Sequence, residues 1–283
     1  MIDIARKKRI YKEFEIDGKV FAFDSTTIDL CLSVFWWAKF RRTKAGIKMH
    51  TLYKIQMDIP TFIHITEAKA HDQHVMDEIP YEQGAYYVFD RGYFDLKRLY
   101  HVNEIEAYFV IRQRGNLQYE VVSESDTMHN ADGVLSDQII RLTGYQTSKK
   151  FPAVLRRVTY YAADKNKTFV YLTNNMEIPA TQVALFYKYR WRVEFFFYVD
   201  QTASQDQILL GTTGTAVGSQ IYSAITANCM VAIVEHDIKL HRSTYEVLRI
   251  LSASLLDKTP IKELFTKEPV YVADDGQLTH NYI

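Results

Sequence analysis

Cysteine is scarce in this 283-residue chain: Cys31 and Cys229 are the only two. Two thiols cannot build a thiolate metal cluster, their number suggests no disulfide framework, and a reducing cytoplasm suits such a sequence. Net charge is missing as well, with 34 Lys and Arg against 34 Asp and Glu. Nucleic-acid affinity rests largely on cations that neutralise phosphates, so the overall balance argues against it and only the distribution of charge can argue for it. The N-terminus, Met1 to Lys8, has no apolar core behind its charges and is not expected to be a signal peptide. The longest apolar window, around Ile221 to Val234, contains Ser, Thr and Asn; it reads as a buried helix too short to span a bilayer, and no membrane partner is expected. One further absence is local. From Val193 to Ile238 there is no Lys or Arg, while Glu194, Asp200, Asp206, Glu235 and Asp237 make the segment acidic, a poor surface for a duplex.

A hydrophobic content of 47%, with 20 Tyr and 16 Phe, argues for a folded globular protein of one large domain or two modest ones. Cations cluster in Lys39 to Lys44 and recur at Lys48, Arg112, Arg114, Arg141, Lys149, Lys150, Arg156 and Arg157. Residues 19–26 read as a buried strand with Asp24 at its end, and residues 85–90 as another ending in Asp90. Strand-like runs at 47–56 and 61–66 flank Asp58-Ile59-Pro60, Asp95 suits the cap of a helix over 96–103, and 107–112 gives a fifth strand. The first 112 residues thus read β-β-β-(α)-β-α-β, with acids at strand ends, where ligands of α/β sheets gather. Between 115 and 175, turn residues punctuate alternating runs at 117–122, 138–143, 155–161 and 168–172, the pattern of antiparallel strands. Pro179 then opens a long helix, with Thr181 a candidate cap, and further helices are expected at 218–239 and 243–256.

That long helix carries Tyr187, Arg190 and Glu194 at i, i+3 and i+7, which fall on one helical face. A phenol, a guanidinium and a carboxylate side by side suit holding a metal ion against a phosphate. Position 201 falls on the same face, and there Gln201 stands where a cation would serve. Asp24, Asp90 and Glu194 together fit a two-metal site, because two hard cations about 4 Å apart need bridging carboxylates. Each acid alone reads more often as a turn former or cap, and the Tyr-Arg-Glu face alone reads equally as a buried ion-pair network. His64, His71 and His74 read as solvated or packing histidines rather than a zinc site, and Phe195 to Tyr198 as core packing.

Several colinear runs carry a resemblance. Asp24-Ser-Thr-Thr, Trp37-Ala-Lys-Phe-Arg-Arg-Thr-Lys44, Ile47-Lys-Met-His50, Pro60-Thr-Phe-Ile-His64, Phe89-Asp-Arg-Gly-Tyr93, Leu172-Thr-Asn-Asn175 and Tyr187-x2-Arg190-x3-Glu194 resemble bacterial insertion-sequence transposases of the DDE type. The branch is the IS-four family, named for its Tyr-Arg-Glu-Lys signature, and the resemblance covers about residues 20 to 265. It implies a ribonuclease-H-like α/β fold, a mixed sheet flanked by helices, with an antiparallel β insertion before the helix bearing the last catalytic Glu. The implied division is 1–114 and 179–283 for the two parts of the catalytic core and 115–178 for the insertion. It implies Mg²⁺ or Mn²⁺, as two ions in the sense of the two-metal mechanism, held by Asp24, Asp90 and Glu194, for DNA strand cleavage and transfer at transposon ends. Tyr187 and Arg190 would hold a phosphate, Trp191 would stack on an unpaired base, and Lys39, Arg41, Arg42, Lys44, Lys48 and Arg91 would contact duplex DNA in a dimeric complex. Two departures accompany it: the signature Lys is Gln201, and only about twenty residues precede the first strand where relatives carry an end-recognition region. The alternative these raise is a transposase-derived protein that keeps the fold but is impaired in DNA binding or catalysis.

Overall fold

Three central strands with bulky apolar residues on both faces fix the middle of the molecule. Phe21, Phe23, Tyr87, Phe89, Phe109 and Ile111 point to one side, and Val20, Ala22, Tyr86, Val88 and Val110 to the other, as the two-residue period of a strand dictates. Both sets are buried, so both faces must be covered. The computed structural model describes residues 18–42, 44–57, 59–125, 133–194, 196–197 and 211–238, together with 247, 250 and 251. The strands are β1 (Val20–Leu30), β2 (Lys39–Arg41), β3 (Lys44–Lys54), β4 (Ile59–Glu67), β5 (Tyr86–Phe89), β6 (Tyr108–Arg112), β7 (Tyr119–Glu124), β8 (Val134–Leu142), β9 (Leu155–Ala162) and β10 (Lys167–Thr173). The helices are α1 (Leu96–Glu104), α2 (Tyr145–Lys150), α3 (Ala180–Tyr189) and α4 (Gly214–Ile238).

All ten strands join one mixed sheet in the order β2-β3-β1-β5-β6-β10-β9-β8-β7, with β4 also paired to β3. β5 runs parallel to β1 and to β6, and the other pairings are antiparallel. The strand order expected over the first 112 residues is present, with two differences. The helix expected between β4 and β5 is a 3-10 segment, Asp72–Glu78, and the basic run Lys39–Arg41 folds back on β3 as the short strand β2. The four strands from 119 to 173 are antiparallel, and because β10 pairs directly with β6 they prolong the central sheet.

Asp95 caps α1 as its side chain predicts, Oδ1 accepting from the backbone N–H of Lys97 and Arg98 at 3.0 and 3.1 Å. Leu96, Leu99 and Val102 then lie against the Phe23–Phe89 face. On the opposite face lie α3, through Val183, Ala184, Phe186 and Tyr187, and α4, through Val217, Ile221, Ile225 and Cys229. A ten-residue helix is marginal by itself in water, so this burial is what holds α3 in place. Thr181 does not cap it: Pro179 occupies the N-cap position with no side-chain hydrogen bond, and Thr181 lies inside the first turn. α4 also departs from expectation. It starts four residues earlier than Gly218, runs for 25 residues, and Gly214–Ile233 is long and apolar enough to cross a membrane by length and composition. Its packed stripe and the bond from Tyr222 Oη to the Ile63 carbonyl (3.4 Å) seat it on the sheet, while Tyr222 and Met230 keep about half their surface exposed.

The segment that leads into α3 is pinned by side chains. Asn174 Oδ1 accepts from Phe109 N (2.9 Å), and its Nδ2 donates to Asn103 Oδ1 (3.0 Å) and Ala107 O (2.8 Å). Asn175 Oδ1 accepts from the N–H of Glu177 and of Ile178, both at 2.9 Å, and Nδ2 donates to Tyr86 Oη at 3.1 Å. Arg156, buried on β9, donates to the Ile178 carbonyl and forks onto Asp137 of β8.

Candidate active site

A parallel ladder that stops brings Asp24 and Asp90 together. β1 and β5 pair in register from Val20 with Tyr86 to Phe23 with Phe89, and each acid is the next residue along the chain. Asp24 is not at the end of its strand, as the sequence suggested: β1 continues to Leu30, and it is β5 that ends. Both acids share the parity of Ala22 and Val88, so they face the side that α3 covers. Asp24 Oδ1 accepts from the N–H of Ser25 (2.8 Å), and Asp90 Oδ2 accepts from the N–H of Gly92 (3.2 Å) as the cap of the 3-10 turn Arg91–Tyr93.

The expected single helix tightens at Arg190. α3 ends at Tyr189, Arg190 keeps a right-handed backbone (φ −52°, ψ −33°), and helical structure resumes over 191–194. The Arg190 N–H is shared between the carbonyls of Phe186 (3.2 Å) and Tyr187 (3.3 Å). Its guanidinium becomes the centre of the site. Nη1 donates to Asp24 Oδ2, Nη2 donates to Glu194 Oε1 at 2.8 Å, and Nη2 lies 3.6 Å from Asp90 Oδ1. The side chain is 4% exposed, and its Nε is buried with no hydrogen-bond partner among the described residues. Tyr187, whose ring packs at a tilt against Tyr171, donates its phenol to Asp90 Oδ1 at 3.3 Å. Asp24, Asp90, Tyr187, Arg190 and Glu194 are therefore one cluster.

Burial sets the electrostatics. It pushes the Asp24 carboxyl up to about 6, against the downward pull of Arg190 and the Ser25 N–H. It also drives the Tyr187 phenol up to about 12, despite Arg190, so Tyr187 is a donor at neutral pH. Burial works against the Arg190 charge, yet Asp24 and Asp90, then Tyr187 and Glu194, outweigh it and raise the guanidinium above its ordinary value.

A pH dependence follows. The folded chain binds the Asp24 proton more tightly than the unfolded chain, whose value is 3.8. Between 3.8 and about 6 the folded state holds more protons, so this residue's contribution to stability is lost as pH rises through that window. The loss is roughly 3 kcal/mol and is complete above the window. Asp24→Asn lacks it, so its metal-free melting temperature should climb relative to the unaltered protein from about pH 4 to about pH 6 and then level off. A difference that does not change with pH would show that the carboxyl is not strained by burial.

The donor set fits a hard divalent cation in chemistry. Three carboxylates from β1, the end of β5 and the segment after α3 converge on one positive group, for which Arg190 is the stand-in. Their present spacing does not fit as it stands: among the described residues, no three His, Cys, Asp or Glu side chains are grouped to hold one ion. The carboxylates are arranged around the guanidinium.

Trp191 is half exposed, with the Arg190 guanidinium 5.5 Å and Lys165 Nζ 4.7 Å from its ring. It lies on the wall of a cleft of about 1340 Å³ that holds the whole cluster and is also lined by Arg112, Lys165, Lys188, Tyr160 and Phe169. The sequence does not single these cleft residues out as site residues; Arg112 stands there only among the recurring cations. Lys39, Arg41, Arg42 and Lys44 are exposed on the β2–β3 hairpin, with Lys44 Nζ 3.6 Å from Asp29 Oδ2. Asp24 lies six positions along β1 from the hairpin's partner Leu30, roughly 20 Å along the strand. Arg91 is exposed beside Asp90. Lys48 is not brought to the cluster: it has the opposite parity to Met49, and its Nζ binds Asp72 Oδ1 (2.8 Å) and the Ala70 carbonyl (3.2 Å). His74 Nδ1 lies 3.0 Å from Arg98 Nη2, and the His71 and His74 rings meet edge to face. His64 lies between the rings of Phe62 and His50. Phe196 and Phe197 are in the core, as expected of that run, while Phe195, Tyr198 and Gln201 lie outside the described residues.

Residues 15–199 match the family described as Transposase DDE domain. The chain is 34% identical over 229 residues to a Sinorhizobium fredii protein named as transposase y4zB, a match covering 80% of this chain and 63% of that one. It is 27% identical over 205 residues to a Geobacillus stearothermophilus protein named as the transposase of insertion sequence element IS5377, covering 72% and 53% of the two. A Synechocystis protein named as the transposase of element IS4SA is 26% identical over 269 residues, covering 89% and 72%. The chain thus spans less than two thirds of the length of the first two. A solved piggyBac transposase in a synaptic complex with hairpin DNA is 12% identical with a TM-score of 0.47, covering 93% of this chain and 60% of that one.

Proposed function

The chain belongs to the transposase DDE domain family, and from that premise we propose that it is the catalytic core of an insertion-sequence transposase, with Asp24, Asp90 and Glu194 as its metal-holding carboxylates. The observation that carries this reading is the convergence of those three acids, from three separate elements, on a single cation. The order β4-β3-β1-β5-β6, three antiparallel strands followed by two parallel ones, supports a ribonuclease-H-like core formed by 1–114 and 179–283, with 115–178 as the β insertion.

Asp24, Asp90 and Glu194 would hold Mg²⁺ or Mn²⁺, as two ions. Bound there, the cations would supply Lewis acidity for cleavage and transfer of a phosphodiester. The chain's own residues do the positioning. The Gly92 N–H and the Tyr187 phenol fix the Asp90 carboxylate from two directions. Arg190 has the planar fork suited to a phosphate, and Trp191 presents an exposed ring at the cleft for an unpaired base. Arg112, Lys165 and Lys188 line the same cleft, where they would meet a DNA backbone. The exposed Lys39, Arg41, Arg42, Lys44 and Arg91 lie farther out, where a duplex leaving the site would pass, in a complex of two chains on paired ends.

Supercoiled plasmid is the test. With Mn²⁺ the protein should convert it to the nicked form and join a pre-cleaved transposon end to it. Nicking without joining would reduce the reading to a nuclease, and no conversion at any Mn²⁺ concentration would overturn it.

A further inference from the structure

We infer that Arg190 is an internal cation that closes the carboxylate cluster against metal until a DNA phosphate draws it away. The inference rests on the reading of Asp24, Asp90 and Glu194 as metal ligands and concerns how that site is regulated.

Three observations carry it. First, the guanidinium occupies the place where an ion would have to bind: it bonds Asp24 and Glu194 directly and stands 3.6 Å from Asp90 Oδ1. Its side chain is 4% exposed, so the site is filled rather than bordered. An arginine and a divalent cation cannot share three carboxylate oxygens at contact distance, because each presents positive charge to the same lone pairs. Second, with Arg190 in place the acids are not grouped as ligands for an ion, although their oxygens face inward. Third, Arg190 is not fully satisfied there. Its Nε is buried without a partner among the described residues, whereas a phosphate in the cleft could accept from the fork as a whole. Arg190 therefore has a good position among the carboxylates and an alternative one that becomes available only with DNA. Trp191, half exposed and 5.5 Å from the guanidinium, marks the side on which the cleft opens.

The consequence is a reciprocal coupling. Metal entry displaces Arg190, DNA phosphate holds the displaced arginine, and each raises the affinity for the other by the same factor. In the DNA-free protein the carboxylates stay paired, which keeps a hydrolytic centre from assembling away from its substrate.

Mn²⁺ titration by calorimetry, with melting curves run in parallel, tests this on the unaltered protein, Arg190→Gln and Arg190→Lys. Arg190→Gln should bind Mn²⁺ at least about tenfold more tightly, the usual scale of such couplings, and should gain more melting temperature from Mn²⁺ than the unaltered protein does. Arg190→Lys, which keeps a charge but loses the fork, should fall between them. A short duplex should tighten Mn²⁺ binding to the unaltered protein and leave Arg190→Gln unchanged. If Arg190→Gln is unstable without metal, recovery of a cooperative transition on adding Mn²⁺ reads the same competition. Equal Mn²⁺ affinity in all three proteins, with or without duplex, overturns the latch and leaves the metal site standing. No Mn²⁺ binding to any of them, even with duplex, overturns the metal reading and the latch together.

Discussion

Replacing Asp90 by Asn is expected to slow Mn²⁺-dependent plasmid nicking by about a thousandfold or more while leaving the melting temperature within a few degrees. The size follows from charge. One of three carboxylates that would compensate divalent cations becomes neutral, and a loss of several kcal/mol of transition-state stabilisation is about three powers of ten in rate at 1.36 kcal/mol each. The small structural effect follows from geometry. Asn is isosteric, and its amide oxygen can still accept from the Gly92 N–H or the Tyr187 phenol, now at 3.2 and 3.3 Å. Asp90 is 39% exposed at the side chain and is the most distant of the three acids from Arg190, at 3.6 Å, so its ion pair contributes little to folding. Asp29→Asn is the matched control. Asp29 lies on β1, the strand that carries Asp24, but it is 68% exposed and pairs with Lys44 at 3.6 Å, so its loss should leave nicking unchanged. Single-turnover rates beside melting curves decide the matter. An Asp90→Asn protein that nicks within about tenfold of the unaltered one would remove Asp90 from the chemistry, since even an outer-shell change costs that much.

The same acid shows what local sequence conveys and what it does not. An apolar run ending in Asp marks both Asp24 and Asp90, and that much was legible. What places them side by side is the register of β1 against β5, which stops at Phe23 and Phe89; no window around residue 24 contains that information, and Asp24 looked like a strand end when it lies mid-strand. The helical period put Arg190 and Glu194 on one face, and they do meet, at 2.8 Å. It could not say that a guanidinium assigned to phosphate would sit among the acids instead, because Asp24 reaches Arg190 from 166 residues away. Lys48 is the converse case. Alternation in Ile47-Lys-Met-His50 separates Lys48 from Met49, but which of the two faces carries the site depends on packing with α3, which only the fold supplies. Leu172-Thr-Asn-Asn175 carried a resemblance without a role, and its two asparagines turn out to fasten β10 to β6 and to shape the approach to α3 through partners 65 to 89 residues distant.

Asp137→Ala should produce the largest loss of stability among these changes, about 3–5 kcal/mol, because it strands the Arg156 charge in the interior. The pair is bidentate, at 2.7 and 2.6 Å, and the side chains are only 8% and 11% exposed for Arg156 and Asp137, so water cannot replace the missing carboxylate. For a chain of this length that is a fall in melting temperature of roughly 10 °C. The damage should also travel. Arg156 holds the Ile178 carbonyl, Ile178 is two residues before α3, and α3 carries Tyr187 and sets the position of Arg190. Nicking should therefore fall in Asp137→Ala at temperatures where the protein is still folded. The double variant Asp137→Leu with Arg156→Met separates charge from packing. It removes the stranded cation and should recover much of the stability, since apolar replacement of a buried pair is often neutral or better. It does not restore the bond to Ile178, so activity should recover less than stability does. Urea midpoints for the three proteins would show it. A loss under about 1 kcal/mol in Asp137→Ala would mean that the site relaxes to admit water, and that α3 is held by the Asn175 turn and its apolar face alone.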